Sequence, residues 1–594
     1  MPDAPRPGLD RPRQTYGRRA VLHGALTASA IAGAALLAAC GGSNAPTPAS
    51  PGTVAAPAAV TPTGAVRTTT ASSNGPGGST PTSAPAPTAL PMATGRIPSP
   101  GGDVPDAYTK YPPQLFKSVN ATPGRGGKVS KFAILYGTPA KAHDQNQYWQ
   151  ELEKRLGVSL DVIQAPATSY EEKLAAITSG GDVSDLMWLS PPPDHLKIIA
   201  QGAYTDLTPY LGGDAINEFP NLARYPKRIW NVVSFNGKIY GAPYLLMRGN
   251  NSFYFRQDWA EKVGFGTQKN ADDVFNMFVA MSKNHPDGGT GTTYGLSSSS
   301  PRPDMAVLPL SQMFRGPNNW RMNPDGTFTK NIETDEWKQA LEFARKLWAA
   351  GGYHPDAASL ATTQNKDFFF GSKIGAYYDG LGGLLGSQGA RGRTREFTPT
   401  ANVTGWVPVG YDGGKATFFT QQGYFGYTAI PASKGKDKER VKELLRIMDY
   451  FAAPFGSEER LFLNSGIEGV HFTRDADGRP KQTDLGKAEI GGIPWVTNEF
   501  PVCYYDVPGD AEYMQKLQAD LLAIGVDDPT WGLYSPTNST RSGELSQLQS
   551  DRTVAIVTGR EPVSTWDFFL KDWRSRGGDQ IRKEYQDAKQ KARA

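Results

Sequence analysis

KVSKFAILY, residues 128–136, is a short apolar run suited to a buried strand, and the residues after it alternate helix and strand. DQNQYWQELEKRLG (144–157) places Tyr148, Leu152 and Leu156 on one helical face and stops at Gly157, a residue free to take the left-handed conformation that ends helices. VSLDVI (158–163) is a second strand. Ser169 and Glu172 have capping-box spacing ahead of a helix that carries Leu174 and Ile177 and ends at Gly180 and Gly181. DLMWL (185–189) is a third strand, broken by Pro191, Pro192 and Pro193. This order predicts an α/β fold with a parallel sheet and helices on its faces. Ligands of such sheets sit beyond the carboxyl ends of the strands, here residues 136–138, 164–168 and 188–190.

Downstream, the chain supplies a second α/β region. Amphipathic helices are expected at 335–350, with Trp337, Leu341, Ala344 and Trp348 facing a core, and at 436–451. Strand-like pieces lie at 238–243, 253–256, 373–378 and 424–431. No repeat of 20 to 50 residues is visible, which argues against a solenoid or propeller.

Upstream, the chain is an export signal and then a tether. Arg11, Arg13, Arg18 and Arg19 form a positive region, followed by an Ala-rich apolar core (24–39) that ends at Cys40. At about 1.5 Å per residue that core is too short to span a hydrocarbon layer of roughly 30 Å. Residues 1–39 are therefore read as a signal peptide. Leu37-Ala38-Ala39-Cys40 resembles a bacterial lipobox, in which the cysteine is acylated and anchors the chain to a membrane. GRRAVL (17–22) resembles a twin-arginine motif, without the usual Ser/Thr before the pair or Phe after it. Residues 40–125 are rich in Pro, Thr, Ser, Ala and Gly and are expected to form a disordered tether.

Composition narrows the partners. Lys and Arg total 62 against 58 for Asp and Glu, so a net charge of +4 gives no reason to expect nucleic acid. With Cys40 acylated, Cys503 has no partner for a disulfide, and six scattered histidines leave little material for a metal site. No cofactor motif is present. G-x-S-x-G, H-E-x-x-H and G-x-x-x-x-G-K-[ST] are all absent, although a glycosidase carboxylate pair remains an open alternative.

FNGKIYGAPYL (235–245), FYFRQDWAEKVG (253–264), SKIGAYYDG (372–380), NSGIEGVHF (464–472) and the end from GREPVSTWDFF (559–569) occur in an order that resembles the family 1 extracellular solute-binding proteins of ABC importers, in particular their LplA-like lipoprotein branch. The resemblance runs through nearly all of residues 126–594. It implies a type 2 periplasmic-binding-protein fold, with two α/β lobes, a hinge and an interlobe cleft. It assigns 126–244 plus 422–468 to the first lobe and 245–421 plus 469–594 to the second, with crossings near 243–248, 419–423 and 466–470. It further implies a monomer outside the cytoplasm, held to the cell membrane through Cys40, that captures a carbohydrate and delivers it to an ABC permease. A non-sugar ligand such as a peptide, a lipid-anchored glycan hydrolase and a surface adhesin are the alternatives.

Sugars present C–H faces and hydroxyl edges, so their sites combine aromatic platforms with polar partners. Trp188 and the pair Tyr378 and Asp379 lie at strand ends; Tyr244 precedes the first crossing; Trp406, Trp495 and Tyr504 fall in loops. Asn251 and Arg256 are polar candidates close to a crossing, as are Arg248, Asn250, Gln421 and Gln422. Some oligosaccharide-binding relatives carry an acidic calcium loop. The equivalent segment here, 284–295, keeps only Asn284 and Asp287, too few for calcium's six to eight oxygens, so no metal is expected.

Overall fold

The first helix spans Gln147–Leu156: the Asn146 side chain accepts a hydrogen bond from the Trp149 amide at 2.9 Å, and Gly157 ends the helix at φ 70°. Tyr148, Leu152 and Leu156 are all fully buried. The computed structural model describes residues 95–135, 138–191, 196–287, 291–298 and 304–593. The leader, Cys40 and the tether as far as residue 94 lie outside the described residues. The second helix, Tyr170–Gly180, departs from expectation at its start. A 3-10 turn, Ala167–Ser169, leads into it and the Ser169 side chain makes no capping bond.

The first sheet has five strands in the order Ser159–Pro166, Lys128–Leu135, Leu186–Leu189, Tyr424–Ala429, Ala242–Leu245. The three strands expected from the sequence are parallel, whereas Tyr424–Ala429 runs antiparallel to both neighbours. Covering both faces explains why KVSKFAILY is nearly continuously apolar. The second sheet runs Tyr294–Leu296, Ile374–Gly380, Asn251–Arg256, Val403–Gly405. Helices Ala271–Lys283, Asp335–Ala349, Pro536–Val557 and Trp566–Trp573 contribute to its core, in which Trp337 stacks on Trp566 with centroids 6.2 Å apart. The two sheets with their separate cores are the two lobes.

Two crossings between the sheets run side by side, near residues 246–248 and 421–423. The Leu246 amide donates to Gly423 O at 2.9 Å, and the Gln421 amide to Arg248 O at 2.9 Å. The third crossing was expected at 466–470 and instead falls near 500–509. Ile490, Ile493 and Val496 pack into the first lobe's core, and the Asn498 side chain bonds the backbone of Leu245. The glycines that suggested a crossing, Gly466 and Gly469, take positive φ in a local loop that His471 Nδ1 closes by accepting from the Ile467 amide. Helix Asp510–Leu522 then packs in the second lobe. The lobes also touch where the Phe235 ring meets Tyr534 edge-on, 5.6 Å between centroids.

The tether expected to reach residue 125 ends earlier, because residues 95–125 are packed against the fold. Ala107 pairs with Cys503 in the third crossing, through Tyr108 N to Cys503 O and Cys503 N to Asp106 O at 2.9 and 2.8 Å. Gln515 Nε2 donates to the carbonyls of Ile97, Pro98 and Pro105. Farther on, the Ser118 amide and hydroxyl both donate to Glu459 in the first lobe. Averaged over a Pro-rich block, Val104, Tyr108 and Tyr111 gave no apolar signal, yet all three are buried. This segment therefore forms a strap across the hinge. Among the described residues no helix is long and apolar enough to cross a membrane. Cys503 is fully buried, and burial pushes its thiol up to about 12, which disfavours the thiolate that reacts.

Candidate ligand-binding site

Four rings meet at the hinge-side end of the first sheet. Trp188 lies opposite Thr428 in the neighbouring strand. Gly426 makes room for its indole, since a Cβ there would stand 2.5 Å from Trp188 Cζ2. Tyr424 pairs with Leu245 and Gly426 with Tyr244, so Phe425 is an extra residue in its strand. Such a bulge re-aims a side chain. The Phe425 ring sits 6.1 Å from Trp188 and 5.8 Å from Trp495. Tyr244 completes the group, stacked on Trp495 and edge-on to Trp188.

Trp495 owes its position to a buried lysine. Lys131, in the first strand, donates from Nζ to Ile493 O at 2.5 Å and to Trp495 O at 3.2 Å. Burial alone pushes this ammonium down to about 7. Thr428 Oγ1 adds a bond to Val496 O at 2.6 Å. Trp188, expected to face ligand, is 1% exposed, because Tyr244, Phe425 and Trp495 surround it. It supports the three half-buried rings and does not itself offer a surface.

A second group forms on the other lobe. In register, Asn251 faces Gly380 and Phe253 faces Tyr378. Phe253 is flanked by Tyr378 and Trp406, with centroids 5.5 and 5.6 Å away. Asp379 accepts from the Gly380 amide at 2.8 Å and pairs with Lys366 at 3.0 Å. Burial raises the Tyr378 phenol far above its usual range, with the Asp304 carboxylate adding to the effect. Trp406 is almost wholly buried, and its Nε1 has no partner. Tyr244 and Asn251 flank the first crossing, so the chain passes directly from one aromatic group to the other.

Two candidates fall elsewhere. Arg256 is at the opposite end of the Asn251–Arg256 strand, about 17 Å from Asn251 at roughly 3.4 Å per residue. It is fully buried, with Nε and an Nη bonded to both Asp258 oxygens at 2.9 and 2.8 Å and the other Nη to Ser372 Oγ at 2.7 Å. Three of its five N–H donors are engaged this way, and its complete burial keeps the rest from a ligand. Tyr504 packs in the third crossing against Tyr111 and Phe455, away from both groups. Of the other polar candidates, Arg248 serves the hinge: it bonds Asp103 of the strap at 2.5 Å, Asp527 of the second lobe and Gln421 O at 3.2 Å.

Phe425 and Lys131 were missed. Phe425 had a weak signal, its aromatic place in a strand beside Gly423 and Gly426. Lys131 had one too, as a charged residue inside an otherwise apolar strand. Among the described residues no group of three His, Cys, Asp or Glu side chains could hold a metal ion; residues 288–290 of the calcium-like loop lie outside them.

Residues 137–448 match the family described as bacterial extracellular solute-binding protein. The chain belongs to that family. Within it, this chain is 25% identical over 491 residues to the polygalacturonan/rhamnogalacturonan-binding protein YtcQ of Bacillus subtilis (strain 168), covering 80% of this chain and 93% of that one. It is 23% identical to lipoprotein LipO of the same organism, covering 78% of this chain and 93% of LipO. In fold it is similar to the S. pneumoniae ABC-transporter substrate-binding protein FusA solved with kestose, at TM-score 0.59 and 16% identity, covering 78% of this chain and 99% of FusA. The family is one of binding proteins, and its two-lobe fold is the one observed here.

Proposed function

We propose that this chain captures an oligosaccharide between its lobes and delivers it to an ABC permease. The observation that carries the reading is the half-buried aromatic platform Tyr244, Phe425 and Trp495, with Asn251, Tyr378, Asp379 and Trp406 across the first crossing. Stacked rings suit the C–H faces of sugars, and Asn251 and Asp379 suit their hydroxyls. YtcQ and FusA, by their names, bind polygalacturonan/rhamnogalacturonan and kestose, which supports a saccharide as the ligand. Ligand that touches both lobes only when they close shifts the population toward the closed form. The protein acts as a monomer outside the cytoplasm, anchored by acylation of Cys40, and does not cleave its cargo.

A glycan panel tests this. A bound oligosaccharide raises the melting temperature as the logarithm of its concentration over Kd, and it is recovered intact after long incubation. Absence of any thermal shift across neutral and acidic oligosaccharides would overturn the reading, and a shortened glycan would point to a hydrolase. Labelled palmitate incorporated by the wild type and not by Cys40→Ala tests the anchor.

A further inference from the structure

Under the strap lies a cavity of about 260 Å³ lined by Tyr111, Phe455, Asn464, Glu499 and Tyr504, among others. It shares no lining residue with the Tyr244, Phe425 and Trp495 platform. Three rings in mutual contact form one side of it: Tyr504 stands 5.4 Å from Tyr111 and 5.0 Å from Phe455, and Tyr111 and Phe455 are 5.2 Å apart. Asn464 is exposed and marks the side open to solvent.

Two polar atoms in this lining are shut off from water and have no partner, Glu499 Oε2 and Tyr504 Oη. The other Glu499 oxygen stands 3.5 Å from Arg460 Nε, so only half of the carboxylate is answered. Leaving such a group unanswered is costly, and folded proteins rarely do so without a water or ligand to meet it. The volume exceeds what one or two waters at ~30 Å³ each would fill. Aromatic walls, a carboxylate, a phenol and an amide together are the equipment that holds a polyhydroxylated ring.

We propose that this cavity is a second binding site, for a single sugar ring or a polyol of that size, held by Glu499 and Tyr504 against the joined Tyr111 and Phe455 rings. Burial raises Glu499 to about 7, against the pull of Arg460 and the Phe455 amide, so near neutral pH it both donates and accepts hydrogen bonds. The occupant touches the strap through Tyr111, the first lobe through Phe455 and the third crossing through Tyr504. It therefore ties together three segments that meet at the hinge.

Calorimetry on the full chain, with D-galactose and myo-inositol as probes, tests the site. At least one probe is expected to bind the wild type and to bind Trp495→Ala within twofold, because the platform is separate. Tyr504→Phe and Glu499→Gln each weaken that binding at least tenfold, while Tyr504→Phe leaves oligosaccharide capture unchanged. Heat from neither probe, loss of probe binding in Trp495→Ala, or unchanged binding in Tyr504→Phe overturns the site. Tyr504→Phe removes one hydroxyl and decides the matter even if Glu499→Gln fails to fold. A crystal soaked in the probe that shows only water in the cavity overturns it too.

Discussion

Tyr244 and Trp495 stack with centroids 5.4 Å apart and planes 22° from parallel, one on the first crossing and the other in the loop that leads to the third. Each ring fixes the other. Trp495→Ala is expected to weaken oligosaccharide binding about tenfold, or ~1.4 kcal/mol, and Tyr244→Ala by a similar factor. The double variant should lose less than the sum, with a coupling of about 0.5–1.5 kcal/mol typical of aromatic pairs. Additive losses in calorimetric titrations would show that the rings act separately.

Trp188 behaves differently because it is buried beneath that pair. Trp188→Ala leaves a large cavity and should lower stability by about 3–5 kcal/mol, read by urea unfolding. A binding defect without a stability defect would restore Trp188 to direct ligand contact.

Arg256 illustrates a buried ion pair that resembled a binding residue. Arg256→Met strands the Asp258 carboxylate and should cost about 3–5 kcal/mol, and adding Asp258→Asn should recover part of that loss. Ligand affinity of the folded protein stays unchanged. A large affinity loss with normal stability would contradict this.

Lys131 should imprint a pH dependence on stability. In the unfolded chain its ammonium titrates near 10.4, whereas burial lowers it to about 7 in the fold. Between about pH 7 and 10 the unfolded state therefore holds a proton that the folded state has released, and stability rises with pH. Below about 7 both states are protonated and the contribution is flat. Lys131→Met should remove this rise, measured by unfolding at pH 7, 8 and 9. Parallel profiles for the two proteins would refute it.

Gln515 carries the strap's grip on the second lobe. Gln515→Leu leaves three carbonyls without that donor, and a loss of about 1–3 kcal/mol is expected. Limited proteolysis should then cut within residues 95–111 earlier than in the wild type. Equal cleavage rates would show that the strap is held elsewhere.

The α/β opening was legible because buried parallel strands and capped helices follow from local pattern: residues 128–136 and Asn146 to Gly157 needed no tertiary information. The aromatic candidates were only partly so. Trp188, Tyr244 and Trp495 do come together, but composition could not say which ring would be covered. That depended on Lys131 and on the bulge at Phe425, both contacts between distant segments. The third crossing was misplaced because Gly466 and Gly469 look the same in a loop as in a hinge. The strap was hidden because its order comes from partners in Cys503, Gln515 and Glu459, all more than 300 residues away.

The strap also settles where force enters the folded body. A pull on the chain ahead of Gly95 meets the pairing of Arg96 and Ile97 with Tyr108 and Ala107, and passes from there to Gln515 and Cys503 beside the crossings. Load applied next to a pivot has a short lever arm and exerts little torque on either lobe. Load entering there is thereby kept from driving opening and closing.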